Sequence, residues 1–252
     1  RDTSSYLKKL LKIYLTFEAV ELIIYTAPLL MGGITVPVLI RRFFTVGIGC
    51  IYWYLISLII TLLILRPLWK KGIIIPGIII GLILYLFMMT NDSYSVLFTG
   101  TMIQKYAIMH TNFWTWPQAG LCSSILFVSI GALLKKHDID PPLILVILSV
   151  ILLIIEALIM QAMKPYDGNG YLALMISAPL LFSFALHHPL STKYRYFGEL
   201  SLYVYMIHPF FNNILGLIVR VNSLRFIVVA ICTVTLSYLI VRRHHKDTQT
   251  IK

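Results

Sequence analysis

Charge is what this 252-residue chain has least of. Asp, Glu, Lys and Arg together make up 12% of it, while 59% of its residues are hydrophobic. A soluble domain carries about a quarter charged residues and is about half apolar, so a water-soluble globule is excluded. Cysteine is rarer still: Cys50, Cys122 and Cys232 are isolated within apolar stretches. That rules out a disulfide framework and a cysteine zinc site, and leaves buried structural thiols. Several catalytic signatures are missing too. There is no Gly-x-x-x-x-Gly-Lys phosphate loop, no His-Glu-x-x-His and no Gly-x-Ser-x-Gly. His187-His188 and His244-His245 are adjacent pairs whose side chains diverge by about 100° on a helix, so neither forms a metal site.

What is present is apolar sequence in blocks near the ~20 residues a helix needs to cross a bilayer. The blocks recur to the end of the chain, which excludes a signal peptide as their explanation. Eight spans are expected, at about 12–30, 45–65, 72–89, 119–134, 142–163, 170–187, 200–219 and 224–241. The runs are continuous rather than alternating, so they predict helices and not barrel strands. The fold class is therefore all-α, a polytopic transmembrane bundle read as one domain over residues 1–252. The net charge of +11 does not point to nucleic acid, because the basic residues gather at span ends. Alternate connections, beginning with the N-terminal segment, hold 15 Lys and Arg against 6 on the other side. The positive-inside rule then places both termini in the cytoplasm. The longest connection, about 90–118, falls outside and contains Asn91-Asp92-Ser93-Tyr94 and an aromatic stretch up to Trp116. It reads either as a cover over a substrate entrance or as an interfacial aromatic belt.

Ionisable groups inside the spans are the candidates for function, since they are costly at membrane depth. Glu18 and Glu21 are three residues apart and share one helical face. They are expected to face the bundle interior or a polar cavity. Glu156 stands alone among Ile151–Ile159 and needs a partner or a proton. Asp167 belongs to Lys164-Pro165-Tyr166-Asp167-Gly168-Asn169-Gly170-Tyr171, which has the composition of a tight turn. His208 sits in Ser201-Leu202-Tyr203-Val204-Tyr205-Met206-Ile207-His208-Pro209, about a third of the way across its span. It is either a general base or a hydrogen-bonded structural group.

In this order the chain resembles the membrane acyltransferase family 3. The landmarks are the basic stretch Tyr6–Tyr14, the Ile51-Tyr52-Trp53-Tyr54-Leu55 helix closed by Arg66-Pro67, and Gly120 through Phe127 to Gly131-Ala132-Leu133-Leu134. They continue with Ile155-Glu156 followed by Asp167 and Tyr171-Leu172, and end with Ser201 to His208-Pro209. The resemblance implies a bacterial plasma-membrane enzyme moving an acetyl or other acyl group from acyl-CoA to a hydroxyl of a carbohydrate or cell-envelope acceptor. No metal is implied, and a homo-oligomer is compatible with it. His208 and Glu156 would then support catalysis. Glu18, Glu21, Trp53, Tyr54, Gln118, Asp167 and Tyr171 would line the substrate path, and Lys8, Lys9 and Lys12 would hold the acetyl-CoA phosphates. Two helices of that family, including the one with its main catalytic histidine, have no counterpart here and are expected before Arg1. Pro117-Gln118-Ala119-Gly120 stands where many members have Arg-Asn-Gly, so Gln118 lacks the fixed charge an arginine would supply.

The same landmarks are similar to the membrane module of vancomycin-resistance serine racemases. That resemblance implies an antibiotic-resistance role and uptake of a small amino acid such as serine, helped by Glu156, Asp167 and His208. A racemase domain would then be expected after Lys252.

Overall fold

A computed structural model describes residues 3–50, 52–116, 118–163, 165, 168–189, 197–218 and 222–250. Among them the chain forms ten α-helices and no strand: α1 (Thr3–Met31), α2 (Val36–Thr45), α3 (Trp53–Lys70), α4 (Ile75–Met89), α5 (Met102–Trp114), α6 (Leu121–His137), α7 (Leu143–Ala162), α8 (Leu174–His187), α9 (Phe197–Ile218) and α10 (Asn222–Thr250). Each of the eight apolar blocks contributes a helix, and α2 and α5 occupy connections between them. Among the described residues four segments, against the eight spans expected, are long and apolar enough to cross a membrane: Ser4–Met31, Trp53–Lys70, Leu143–Ala162 and Leu224–Arg243. Ile75–Met89 and Leu174–His187 are apolar but shorter.

Several boundaries depart from expectation: α1 begins at Thr3 instead of residue 12, α10 runs to Thr250 instead of residue 241, and α3 starts late. The second block was expected to be helical from residue 45, but α3 begins at Trp53. Gly47 and Cys50 have φ of 86° and 59°, in the left-handed region where an L-residue helix cannot continue. Residues 46–50 therefore form an irregular turn with Val46 and Ile48 buried, and Tyr52, just before α3, is buried too.

The chain divides into two compact units, 1–188 and 189–252. In the first, α6 is the central element and packs against α3, α4 and α8. The closest approach is between α4 and α6. A Cβ on Gly81 would lie 2.5 Å from the Leu126 backbone nitrogen, and one on Gly77 would lie 2.7 Å from Ser129 Oγ. Gly77-x-x-x-Gly81 thus lets two apolar helices touch backbone to backbone, the close packing that holds helices together where no water drives association. Tyr85, Met88, Met89, Cys122 and Leu126 continue this contact as a buried cluster.

Polar groups lie within the unit and apolar ones outside. Ser57, Thr61, Ser129, Ser177 and Ser183 are almost wholly buried, and Thr61 Oγ1 meets Ser124 Oγ at 2.6 Å across α3 and α6. By contrast Leu143, Ile144, Leu148, Leu158 and Ile159 on α7 are more than half exposed. This is a membrane-type helical arrangement, since so much exposed aliphatic surface suits hydrocarbon and not water. The second unit is the packed pair α9 and α10.

Candidate functional site

Two clusters of carboxylates organise the first unit, with Glu18, Glu21 and Asp92 buried and Glu156 half-buried. At the first, Glu18 and Glu21 project from one face of α1 and are 1% and 0% exposed. Glu18 Oε2 accepts from the Ile48 amide at 3.2 Å, and Glu21 Oε2 accepts from the Gly49 amide at 2.8 Å. The glycines explain the fit. A Cβ on Gly47 would collide with Glu18 Oε1, and one on Gly49 would come within 2.7 Å of Glu21 Oε1. The other oxygen of each carboxylate is buried with no hydrogen-bond partner among the described residues. Tyr14, one turn before Glu18, donates to the Phe43 carbonyl and packs edge-on against Tyr52. The pair therefore faces the interior, as its helical spacing predicts, and clamps the turn that separates α2 from α3.

The second cluster supplies the partner that sequence alone does not identify for Glu156. Its carboxylate accepts from the backbone amides of Leu172 and Ala173, each at 2.6 Å, and from the Tyr94 hydroxyl. These amides open α8, where unpaired N–H groups and the helix dipole favour an anion. Burial pushes the Tyr94 phenol above its ordinary range, and its hydrogen bond to Glu156 adds to this, so Tyr94 remains a donor. Nearby, Asp92 is wholly buried and its Oδ1 accepts from the Asn169 amide at 2.7 Å. Burial raises the Asp92 carboxyl above its ordinary range, against the backbone amides of residues 168–170 that favour the anion. Tyr85 completes the group. Its hydroxyl donates to the Tyr171 carbonyl at 2.9 Å and accepts from the Tyr171 amide at 3.2 Å. Tyr171 in turn donates to the Gly168 carbonyl at 2.5 Å. Glu156 and the Tyr171 segment are thus brought together, and Asp167 lies outside the described residues.

Asp92, Tyr94 and Tyr85 were not singled out as site residues from the sequence. Their signal was available in part: Asn91-Asp92-Ser93-Tyr94 is a polar run directly after an apolar helix, where buried turn amides need acceptors.

The remaining candidates are dispersed. Trp53 and Tyr54 stack edge-on at the start of α3, with centroids 6.0 Å apart. Tyr54 also borders an apolar cavity of about 450 Å³ with Phe127, Gly131 and Pro179. The Gln118 carbonyl accepts from Ser123 Oγ at 2.8 Å, and its side-chain oxygen is buried. Lys8, Lys9 and Lys12 are exposed on α1. Of the three thiols, Cys122 is buried, whereas Cys50 and Cys232 are half-buried. His187 and His188 turn to different partners, Asp138 at 3.1 Å and Asp140 at 3.7 Å.

The expected outer connection is ordered. Residues 90–100 form successive turns and α5 follows, its N-terminus capped by Thr101 Oγ1, which accepts from the Gln104 amide at 3.3 Å. A polar cavity of about 340 Å³ lies there, lined by Asn91, Ser95, Thr99, Gln104, Thr111 and Asn112 among others. Asn91 Nδ2 donates to Thr111 Oγ1 at 2.9 Å, and Arg41 donates to the Asn112 carbonyl at 3.0 Å. In the second unit, His208 Nδ1 lies 2.9 Å from the Tyr205 carbonyl and 3.2 Å from that of Val204. Carbonyls only accept, so Nδ1 carries a proton, and in the neutral ring Nε2 is an acceptor.

No protein-family model matches the chain, and no solved structure matches it. Among curated proteins it is similar to a serine/alanine racemase from Enterococcus gallinarum, at 28% identity over 276 aligned residues that cover 98% of this chain. The chain spans about two-fifths of that relative's length, 38%. The similarity is distant, and it runs through all the helices described above.

Proposed function

We propose that this chain is a membrane module that takes up a small neutral amino acid, serine or alanine, in the manner expected of a racemase's membrane part. The observation that carries this reading is the match over 98% of the chain to a protein named for serine and alanine. The arrangement supports it. Polar groups lie inside an apolar exterior, and two carboxylate clusters hold turns between helices, where non-helical backbone lines internal space. In the second cluster the hydroxyls beside the carboxylates, Ser93 on Asp92 at 3.4 Å and Tyr94 on Glu156, serve as hydrogen-bond donors, an arrangement that suits binding and passage.

In this reading eight helices cross the plasma membrane of a bacterium, with both ends in the cytoplasm and residues 1–252 acting as one domain. The charge distribution supports that orientation. Reporter fusions after residues 100 and 252 check it, and cytoplasmic signal from both would refute it. Uptake is tested with the intact protein in proteoliposomes and labelled L-serine. Saturable entry competed by L-alanine is expected, and entry no faster than in empty liposomes would overturn the reading.

Acyl transfer is the second reading, favoured by the ordered landmarks that end in His208-Pro209. Lys8, Lys9 and Lys12 would then meet the phosphates of acyl-CoA at the cytoplasmic surface, and His208 and Glu156 would assist transfer to a carbohydrate hydroxyl. Labelled acetyl-CoA with cell-envelope acceptors distinguishes the two. Transfer without serine uptake would replace the first reading with the second.

A further inference from the structure

The second unit holds a cavity of its own. It lies between α9 and α10, has a volume of about 420 Å³, and is bordered by His208, Asn212, Arg225 and Thr233 together with aliphatic walls. The register explains the convergence. Val204, His208 and Asn212 form one stripe at four-residue spacing on α9, and Arg225, Val229 and Thr233 form the facing stripe on α10.

Thr233 is the buried polar member of the lining. It is 1% exposed, and its Oγ1 has no hydrogen-bond partner among the described residues. Some helical hydroxyls in this protein bond the carbonyl one turn back, as Ser57 does to Trp53 at 2.6 Å and Thr111 to Ala107 at 3.0 Å, while Ser129, Ser177 and Ser237 are buried without a partner among the described residues. Thr233 also lacks one, although an unmet buried hydroxyl costs about 1–3 kcal/mol. A polar ligand in the cavity would satisfy it. The ring of His208 is oriented by its Nδ1 contacts to the backbone, which leaves Nε2 as an acceptor. Arg225 brings a fixed positive charge with planar donors, and Asn212 brings both a donor and an acceptor.

We infer that this cavity binds a small zwitterionic amino acid, with Arg225 holding its carboxylate, His208 and Asn212 accepting from its ammonium group, and Thr233 meeting the side-chain hydroxyl of serine. Naming serine rests on the amino-acid reading above. The site itself rests on these four residues.

Binding of labelled L-serine to the full chain in nanodiscs tests this, with L-alanine, serinamide and propionate as competitors. Arg225→Gln is expected to weaken serine and propionate by about 10-fold or more and to leave serinamide little changed, because only the carboxylate needs the guanidinium. Thr233→Val is expected to weaken serine by about 10-fold and alanine by less than about 2-fold, since a site that pairs a hydroxyl discriminates against its loss. Arg225→Lys and Thr233→Ser, the gentler changes, keep the comparison available if either first variant melts early. Serine affinity within 2-fold of native in all folded variants would overturn the site and leave the amino-acid reading standing. Arg225-dependent propionate binding without serine binding would uphold an anion site, overturn the zwitterion assignment and count against the amino-acid reading. If the folded native chain binds neither, both fall.

Discussion

Removing the Glu156 carboxylate should loosen the attachment of α8 more than any other single side-chain truncation in the first unit. Glu156→Ala strands three donors: the Leu172 and Ala173 amides and the Tyr94 hydroxyl. They do not count equally. Leu172 is 40% exposed, so its amide can recruit water, whereas Ala173 is 5% exposed and its amide cannot. A buried donor left without a charged partner costs about 1–3 kcal/mol, and a partly exposed one costs less. Interhelical hydrogen bonds in membrane proteins average about 0.6 kcal/mol, which sets a low value for Tyr94. The expected cost of Glu156→Ala is therefore about 3 kcal/mol. Glu156→Gln keeps one acceptor oxygen and turns an NH₂ toward a backbone N–H, which should cost about 1–2 kcal/mol. Tyr94→Phe alone should cost about 0.6 kcal/mol, and its effect should vanish in the Glu156→Ala background. The assay is reversible unfolding in bicelles for the four chains of this cycle. A Glu156→Ala cost below about 0.5 kcal/mol, the level of an unremarkable surface change, would refute the assignment of Glu156 as the anchor of α8. Full additivity with Tyr94→Phe would refute their direct contact.

Gly81→Leu should separate α4 from α6, because its Cβ alone would lie 2.5 Å from the Leu126 nitrogen. Overpacking of this kind costs about 1–3 kcal/mol, and a melting temperature equal to the native one would contradict the contact. Gly49→Val should unseat the turn after α2 by driving a side chain into the Glu21 carboxylate. The combined Gly49→Val and Glu21→Ala chain should be more stable than Gly49→Val alone, and the reverse order would exclude the clamp. Burial holds the His110 imidazole below its ordinary range. At pH above about 6.5 both folded and unfolded forms are neutral, and below it the unfolded chain binds the proton first. Stability should therefore fall as pH drops from about 6.5 toward the lowered folded value. Hydrogen exchange in α5 between pH 7.5 and 5.5 should accelerate in the native chain and less so in His110→Gln, and equal acceleration would rule out His110 as the cause.

The sequence made the helices legible and left their partners hidden, for a physical reason. Helix existence follows from a local excess of apolar residues, so each of the eight blocks contributes a helix. Partners depend on which turn meets which helix, and that is non-local. Glu156 was recognisable as a carboxylate in need of a donor, but the amides of Leu172 and Ala173 carry no side-chain signature. The helical spacing of Glu18 and Glu21 predicted a shared face, whereas the glycines that receive them were absorbed into an expected span. Gly77-x-x-x-Gly81 was readable as a packing motif and was not singled out, because its meaning depends on the small, backbone-accessible face of α6.

The clamp between α1 and residues 46–50 also bears on how the chain is made. Glu18 and Glu21 lie near the middle of a 29-residue helix, and an acidic residue at that depth opposes insertion of a lone segment by about 2.5–3.5 kcal/mol. Two of them make α1 a poor solitary passenger in the translocation machinery. Their backbone donors, the Ile48 and Gly49 amides, are synthesised some thirty residues later. The α1 segment should therefore settle in the bilayer only after residues 46–50 have followed it, so that α1 and the turn it clamps are laid down together.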